Sequence, residues 1–266
     1  MVRGLGFTAG LTVLIALVLL VPPTYCSNPP CAHSSSCGNI PNISFPFRLN
    51  TDPQNCGDSR YVLSCDENNR TVLYLYGGKY DVQEISYNNY TIRMVDSSIR
   101  KDNYFSFSTP TYSLYEYNFS FDDPYTTDQR KNTVHGWYPL SWSLVWMSCE
   151  KPVNSPLYLD TATCNYNDNS SSISDSKRYR YVKVGRTTVS EVEDSCQVEK
   201  MFLSSWSTNN DVENISCTDV HNGLVYGFEF SWLQSNCESY CGRNNEDCYL
   251  DEANHLQCIY YFSEGK

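Results

Sequence analysis

The stretch "SCGNIPNISFPFRL" (residues 36–49) packs a Cys-Gly pair, an Asn-Ile-Ser glycosylation sequon and a Phe-Pro-Phe triplet into a short segment. Pro46 fixes its own backbone φ and favours an extended conformation at Phe45. In an extended segment, residues two apart project to the same side, so we expect Phe45 and Phe47 to face one small core together. A Cys-Gly pair lies on either side of the triplet, which predicts a β segment stapled by disulfides.

Residues 1–26 have the features of a secretory signal peptide. Arg3 precedes an apolar stretch that ends at Val21, and two prolines follow. A short basic start, an apolar core and a polar exit are typical of a cleaved signal. An uncleaved membrane anchor is the alternative, because the apolar stretch is just below membrane-spanning length. We expect a secreted chain in the extracellular space or cell wall, which is membrane-associated if the segment is retained.

The cysteine count supports an oxidising compartment. The chain has 13 cysteines, and cleavage after Cys26 would leave an even number, which predicts up to six disulfides. Pairs within residues 31–65 and within residues 237–258 are expected from proximity, although connectivity does not follow from spacing. Zinc bound by His255 and nearby cysteines is an alternative, but the ligand spacing is loose. The expected disulfide cysteines are Cys31, Cys37, Cys56, Cys65, Cys149, Cys164, Cys196, Cys217, Cys237, Cys241, Cys248 and Cys258.

Glycosylation sequons and the net charge narrow the class of protein. Asn-X-Ser/Thr sequons after a signal segment predict an extracellular glycoprotein. The formal net charge is −11 and basic residues are not clustered, which argues against a nucleic-acid partner. The expected glycosylation sites are Asn42, Asn69, Asn89, Asn118, Asn169 and Asn214.

Strand signals dominate the chain. "TVLYLY" (71–76) is rich in β-branched and aromatic residues and ends at a Gly-Gly pair. "YDVQEISY" (80–87) and "YTIRMVD" (90–96) flank an Asn-Asn pair, which predicts a hairpin because Asn tolerates positive φ. Ile92 and Met94 should share one face of it.

The predicted fold class is mostly β, with two small disulfide-stapled, cysteine-rich modules and long loops. Outside the signal segment, no window shows a sustained helical period. The predicted domains are the signal peptide at 1–26, a first cysteine-rich module at 27–100, an aromatic-rich β connecting region at 101–148 and a second cysteine-rich module at 149–266. Further strand-like runs are at 103–108, 112–121, 137–147, 178–189 and 227–232, and a polar loop is predicted at 168–176.

The spacing C-x5-C-G-x6-F-P-F-x8-C-G-x7-C, from Cys31 to Cys65, continues into "YDVQEISYNNYTIRMVD". This order of elements resembles the galacturonan-binding extracellular domain of plant wall-associated receptor kinases. "WLQSNCESYCGRNNEDCYLDEANHLQC" (232–258) looks like the C-terminal cysteine-rich module of that family, although "GRNNEDC" departs from the usual pattern and Cys258 stands alone at the end. The order of the modules is similar to that of the rust-resistance branch.

The resemblance implies an ectodomain, because family members usually continue into a transmembrane helix and a kinase. The chain contains no Gly-rich phosphate loop, His-Arg-Asp or Asp-Phe-Gly motif. We therefore expect a secreted receptor-like protein or a truncated receptor kinase.

The resemblance also implies a pectic ligand. Polygalacturonan is a repeated carboxylate, which Arg or Lys can bind, while Tyr rings supply apolar surface with a polar edge. Calcium bridging is an alternative, but no dedicated calcium loop is present, and we expect no cofactor and no metal. The candidate ligand-binding residues are Arg48, Arg60, Tyr61, Lys79, Tyr80, Tyr87, Tyr90 and Arg93.

The expected function is binding of pectin or galacturonan by a receptor-like ectodomain involved in cell-wall sensing or defence signalling. A protein- or peptide-binding ectodomain without sugar binding is the alternative, with a receptor-like kinase or a peptide as partner. A secreted glycosidase is a remote alternative, for which Glu229 and Trp232 would lie near a cleft. No histidine lies in a zinc or triad motif, so we expect no enzyme.

Overall fold

The structure is a computed structural model that describes residues 31, 34–99, 119, 123–132, 136–164, 178–205, 215–242 and 247–259. The signal segment, two predicted strands (103–108 and, apart from residue 119, 112–121) and the 168–176 loop lie outside these residues. The described part is mostly β, as predicted. The strands are β1 (Ser35–Cys37), β2 (Ile40–Ile43), β3 (Arg48–Leu49), β4 (Val62–Cys65), β5 (Thr71–Leu75), β6 (Gly78–Ser86), β7 (Thr91–Asp96), β8 (Asp128–Arg130), β9 (Trp137–Pro139), β10 (Trp142–Cys149), β11 (Tyr158–Asp160), β12 (Tyr179–Val184), β13 (Cys196–Ser204), β14 (Phe228–Ser231), β15 (Cys248–Leu250) and β16 (Leu256–Cys258), and the helices are α1 (Cys217–Tyr226) and α2 (Leu233–Cys241).

A six-stranded sheet in the order β14-β7-β6-β5-β4-β3 forms the first half of the fold. Its pairs are antiparallel except β3–β4, which is parallel. The predicted hairpin is confirmed, because β6 and β7 pair across the Asn-Asn turn with Ile85 opposite Ile92. Ile92 and Met94 are both 0% exposed, so they share the buried face as the alternation predicts.

The strand β14 completes this sheet from the distant C-terminal half of the chain. Phe228 pairs with Met94 and Phe230 pairs with Ile92. The turn into β14 needs a glycine, because Gly227 has φ +91° and a Cβ there would lie 2.0 Å from the Met94 carbonyl oxygen. The predicted strand at 227–232 is thus present, and it adds to the sheet built by the first module. The boundaries between the predicted modules remain predictions.

An aromatic core lies on the buried face of the six-stranded sheet. The Phe47 ring packs edge-on against Tyr61 at 5.5 Å and against Trp232 at 5.4 Å between centroids. Phe45, in contrast, is 54% exposed while Phe47 is 0% exposed. The expectation that both rings face one core is wrong, because Phe45 and Pro46 occupy a turn joined by a cis peptide bond and not a strand.

A four-stranded antiparallel sheet in the order β11-β12-β10-β13 forms the second half. Cys149 on β10 lies opposite Cys196 on β13 and is disulfide-bonded to it. The apolar side chains of this sheet pack with those of α1 in a second core that includes Leu144, Phe202 and Leu224. The remaining two-stranded sheets are β1–β2, β8–β9 and β15–β16.

The helices α1 and α2 are not predicted by the sequence pattern. A capping box starts α1, in which the Ser216 side chain accepts a hydrogen bond from the Asp219 backbone N–H and the Asp219 carboxylate accepts one from the Ser216 N–H. This Ser-x-x-Asp spacing is a local signal for a helix start. Both helices are short, so neither produces a sustained apolar period.

All the cysteines from Cys31 to Cys258 are disulfide-bonded, and the prediction of a disulfide-stapled fold is confirmed. Cys31 and Cys56 are among them. Bridges within 31–65 and within 237–258 agree with the expected proximity. Five of the six pairs are Cys37–Cys65, Cys149–Cys196, Cys164–Cys217, Cys237–Cys248 and Cys241–Cys258.

Candidate functional site

The six-stranded sheet has a second face, opposite the aromatic core, that carries charged and polar side chains. Tyr74 on β5 lies opposite Lys79 on β6, and Val72 lies opposite Asp81. Directly opposed residues of an antiparallel pair share a face, so Tyr74, Lys79 and Asp81 project together. We call the surface formed by Asp66, Arg70, Tyr74, Lys79 and Asp81 the polar sheet face.

Ion pairs hold the side chains of the polar sheet face in place. The Asp66 carboxylate contacts the Arg70 guanidinium at 2.8 Å and the Lys79 ammonium at 3.2 Å. The same guanidinium reaches Asp81 at 2.9 Å, and the Ser97 hydroxyl donates to Asp81 at 2.7 Å. Arg70 therefore bridges the end of β4 to β6.

The electrostatics of the polar sheet face favour charged side chains. Loss of surrounding water raises the pKa of the Asp66 carboxyl, but hydrogen bonds from the backbone and guanidinium of Arg70 and from Lys79 outweigh it. The pKa of Asp66 is therefore held well below its ordinary value of 3.8. Asp66 stays ionised under mildly acidic conditions and keeps both cations in position.

The polar sheet face presents an aromatic ring opposite one partly exposed cation, which is linked through Asp66 to a second. Tyr74 is 60% exposed, and the side chains of Arg70 and Lys79 are 43% and 36% exposed. A tyrosine ring can stack on the apolar face of a sugar, and Arg and Lys bind carboxylates. The polar sheet face therefore has both of the chemical groups that a uronate sugar needs.

The structure does not bring the predicted ligand-binding residues together. Lys79 lies on the polar sheet face. Arg93 lies on β7, where its guanidinium stacks over the Tyr226 ring at 4.7 Å, donates to the Tyr226 carbonyl at 3.1 Å and pairs with Glu84 at 3.4 Å. A ligand at Arg93 would therefore have to share an already occupied guanidinium.

Arg48 and Arg60 lie near the β3–β4 edge of the sheet. The Arg48 guanidinium donates to the Leu49 carbonyl at 3.2 Å. The Arg60 guanidinium grips the Asp58 carboxylate, with the shortest contact at 2.8 Å, and lies 5.8 Å from the centre of the Tyr61 ring. Each of these side chains is thus held by a residue close to it in sequence.

Three of the four predicted tyrosines are buried in the core or hydrogen-bonded to the backbone. Tyr61 and Tyr80 are 0% and 2% exposed, so neither ring is open to a ligand. Tyr61 donates to the Pro124 carbonyl at 2.7 Å, and burial, with the Asp96 charge, raises the pKa of Tyr80. The half-buried Tyr87 hydroxyl accepts from the Ser44 N–H at 2.8 Å and so ties the β6–β7 turn to the Phe-Pro-Phe segment.

Tyr90 is the fourth predicted tyrosine, and it lines a cleft of about 690 Å³ with residues of α2 and of the β15–β16 hairpin. Its ring packs against Trp232 at 5.1 Å between centroids. Tyr90 thus lies where the first module contacts C-terminal residues.

Arg70 and Tyr74 are functional candidates that the sequence reasoning missed. The alternation in "RTVLYLY" (70–76) was the available signal, since it places Arg70, Val72 and Tyr74 on one face while Leu73 enters the core. The Gly-Gly turn then returns the chain so that Lys79 faces Tyr74.

Three of the predicted glycosylation sites lie on described residues. Asn42 and Asn69 are exposed, and Asn89 is half-buried in the β6–β7 turn. Asn118, Asn169 and Asn214 lie outside the described residues. Glycosylation at all six remains a prediction.

Two further features concern metals and membranes. Within the described residues, no three His, Cys, Asp or Glu side chains are grouped so as to hold a metal ion. None of the described helices has the length and apolar character required to cross a bilayer.

Comparison with known proteins identifies the first module. Residues 26–96 match the family described as wall-associated receptor kinase galacturonan-binding. The chain is also similar to the leaf rust 10 disease-resistance locus receptor-like protein kinase-like 1.2 of Arabidopsis thaliana, with 30% identity over 93 residues. That alignment spans 34% of this chain but 14% of the relative. No solved structure matches the chain. The segment that builds β1 to β7 is thus the part of the chain that is similar to the galacturonan-binding region of wall-associated receptor kinases.

Proposed function

We propose that this chain is a secreted, glycosylated receptor-like ectodomain that binds pectic polysaccharide, and that the polar sheet face is where galacturonan binds. The observation that carries the proposal is the exposed Tyr74 opposite Lys79, whose ammonium shares the Asp66 carboxylate with Arg70, inside the segment that matches the galacturonan-binding family. A role in cell-wall sensing or defence signalling, with a receptor-like kinase as partner, is part of this proposal.

The proposed binding uses stacking and charge together. A galacturonate ring stacks on Tyr74, and its carboxylate approaches the ammonium of Lys79 and the guanidinium of Arg70. Asp66 and Asp81 already contact these cations, so the ligand carboxylate must compete with them for the guanidinium and the ammonium. The net charge of −11 repels a polyanion at long range, but salt screens that repulsion beyond about 8 Å.

Titration of the purified chain with oligogalacturonides, with and without calcium, tests the proposal. We expect saturable binding that Arg70→Ala and Lys79→Ala each weaken by about tenfold, because each removes one charge-assisted contact. Arg60→Ala is the matched control, since Arg60 is an exposed arginine paired with an aspartate outside the polar sheet face. Binding that survives the first two changes but not the third would move the site to the β3–β4 edge.

A peptide- or protein-binding ectodomain is the second candidate, and the occupied cations favour it. Among residues 34–99, Arg60, Arg70, Lys79 and Arg93 each contact a carboxylate, and Arg48 contacts a carbonyl. A polyanion must compete with those carboxylates. No oligogalacturonide binding in either calcium condition would favour this candidate.

We propose further that the chain is not an enzyme. Residues 26–96 match a binding domain of receptors. Glu229 and Asp219 line a cleft of about 640 Å³, but the Glu229 carboxylate accepts from the Tyr226 hydroxyl at 2.7 Å and Asp219 accepts from the Ser216 hydroxyl at 2.6 Å. Burial and that contact with Glu229 raise the pKa of Tyr226 to about 12. Trp232 is 1% exposed and lies in the core. New reducing ends after incubation with pectin would overturn this.

A further inference from the structure

The cleft lined by Tyr90 has the size of a ligand site. It encloses about 690 Å³, between the β6–β7 turn, α2 and the β15–β16 hairpin. Small-molecule sites in proteins usually enclose about 300–1,000 Å³. We call it the C-terminal cleft, and its described lining residues are Tyr90, Asn236, Tyr240, Asn254, His255, Leu256, Gln257 and Cys258.

The walls of the C-terminal cleft are held in place by covalent and packing contacts. Cys237–Cys248 and Cys241–Cys258 tie α2 to both strands of the β15–β16 hairpin. The Tyr90 carbonyl accepts from the Trp232 backbone N–H at 2.9 Å. Tyr90 also packs against the core cluster formed by Leu233, Cys237, Cys248 and Leu250. A site that is rigid before binding loses little conformational entropy when a ligand enters.

The lining of the C-terminal cleft combines aromatic rings with amides. Tyr240 is 74% exposed, and Tyr90 supplies a second, half-buried ring. Asn236, Asn254 and Gln257 add side-chain amides, each of which carries both donors and acceptors. The Gln257 amide donates to Asp251 at 3.0 Å, which orients it. Rings that take the apolar face of a pyranose, beside amides for its hydroxyls, suit a carbohydrate.

The charge of the C-terminal cleft disfavours a uronate. Among the described lining residues there is no Arg or Lys, and His255 lies 3.6 Å from the Asp251 carboxylate. A backbone hydrogen bond from His255, helped by the Gln257 amide, holds the pKa of Asp251 below its ordinary value of 3.8. Asp251 is therefore a fixed negative charge beside the cleft, and an acidic sugar would be repelled there.

We propose that the C-terminal cleft is a second carbohydrate site, separate from the polar sheet face, that takes an uncharged oligosaccharide. Lys79 and Ser86 are near opposite ends of β6, and at about 3.3 Å per residue the polar sheet face and the β6–β7 turn are on the order of 20 Å apart. The two sites therefore accept different sugars independently. A neutral wall glycan and a glycan carried on the adjacent Asn89 share this chemistry.

The test is titration calorimetry on the full secreted chain and on an Asn89→Gln variant. The probes are a neutral xyloglucan oligosaccharide, the chitobiose core of N-glycans and an oligogalacturonide. We expect one neutral probe to bind saturably, and Tyr240→Ala to weaken that binding by about tenfold with an unchanged melting temperature. Tyr138→Ala is the control, since Tyr138 is also a partly exposed tyrosine, 47% exposed, but lies on β9 and does not line the C-terminal cleft.

The outcomes separate the two sugar sources and the two sites. Chitobiose binding seen only in the Asn89→Gln variant would mean that the chain's own glycan occupies the cleft, while xyloglucan binding to both forms would mean an external glycan. Lys79→Ala should leave the binding of chitobiose and of xyloglucan unchanged. The proposal is overturned if no neutral probe binds either form, or if Tyr240→Ala and Tyr138→Ala behave alike. Oligogalacturonide binding can fail without affecting this result.

Discussion

A fragment that ends at residue 100, and so keeps the entire segment matched by the galacturonan-binding family, should not fold on its own. The reason is that β14 supplies the edge of its sheet, with Phe228 and Phe230 paired to Met94 and Ile92 on β7. Phe228, Phe230 and the adjacent Trp232 are 3%, 0% and 1% exposed. Truncation removes all three rings and leaves the backbone groups on the β14-facing edge of β7 without a partner, while the other edge stays paired with β6.

The lost burial is as large as the expected stability of the fragment. Burying a large apolar side chain contributes about 1.5–3 kcal/mol, so three rings contribute about 5–9 kcal/mol. A domain of about 70 residues, at about 0.05–0.15 kcal/mol per residue, has about 3.5–10 kcal/mol in total. The Cys37–Cys65 bridge is present in the fragment and in the longer chain, so its contribution of about 2–4 kcal/mol is common to both and does not offset the loss.

Oxidised fragments 27–100 and 27–266, prepared through a secretory host, allow the comparison. We expect a dispersed amide NMR spectrum and a cooperative urea transition for the longer chain and neither of them for the short fragment. In that longer chain, Phe230→Ala should cost about 3–5 kcal/mol, whereas Val189→Ala, at a side chain 93% exposed, should change stability by less than about 0.5 kcal/mol. Dispersed resonances and a cooperative transition from the short fragment would refute the reasoning.

Two further perturbations probe the backbone and a buried charge. Gly227→Ala should lower the free energy of unfolding by about 2 kcal/mol or more, because its Cβ meets the Met94 carbonyl. Gly185→Ala, at a similar φ of +96° with nothing within 4 Å, should cost less in the same denaturant titration; equal costs would show that the contact is unimportant. Burial raises the pKa of Asp128 above its ordinary value of 3.8, against a smaller opposite effect of Arg186. A raised folded-state pKa means stability that is complete below pH 3.8 and lost as pH rises through the folded value. Asp128→Asn should therefore raise the melting temperature at pH 7 and converge with the parent chain below pH 3.8; a lower melting temperature at pH 7 would contradict this.

Local sequence signals were sufficient for much of the first module. The Asn-Asn turn and the alternation of Ile92 and Met94 predicted the β6–β7 hairpin, because strand periodicity and turn preferences act over a few residues. The even set of cysteines and the compartment predicted the disulfides in the same way. The same alternation, applied to residues 70–76, would have predicted that Arg70 and Tyr74 lie on the face opposite the core.

The cysteine spacing and strand periods of residues 31–96 were enough to show the resemblance to the galacturonan-binding family, because such motifs lie within one short segment. The class of ligand follows only from that resemblance and stays a prediction. Other features arise only when distant segments meet. The pairing of Phe230 with Ile92, the burial of Phe47 but not Phe45, and the cleft shared by Tyr90 and Tyr240 are of this kind. Each depends on which packing of apolar surfaces and pairing of strand edges gives the whole chain its lowest free energy. That free energy is a property of the complete tertiary arrangement, so a local sequence pattern does not predict it.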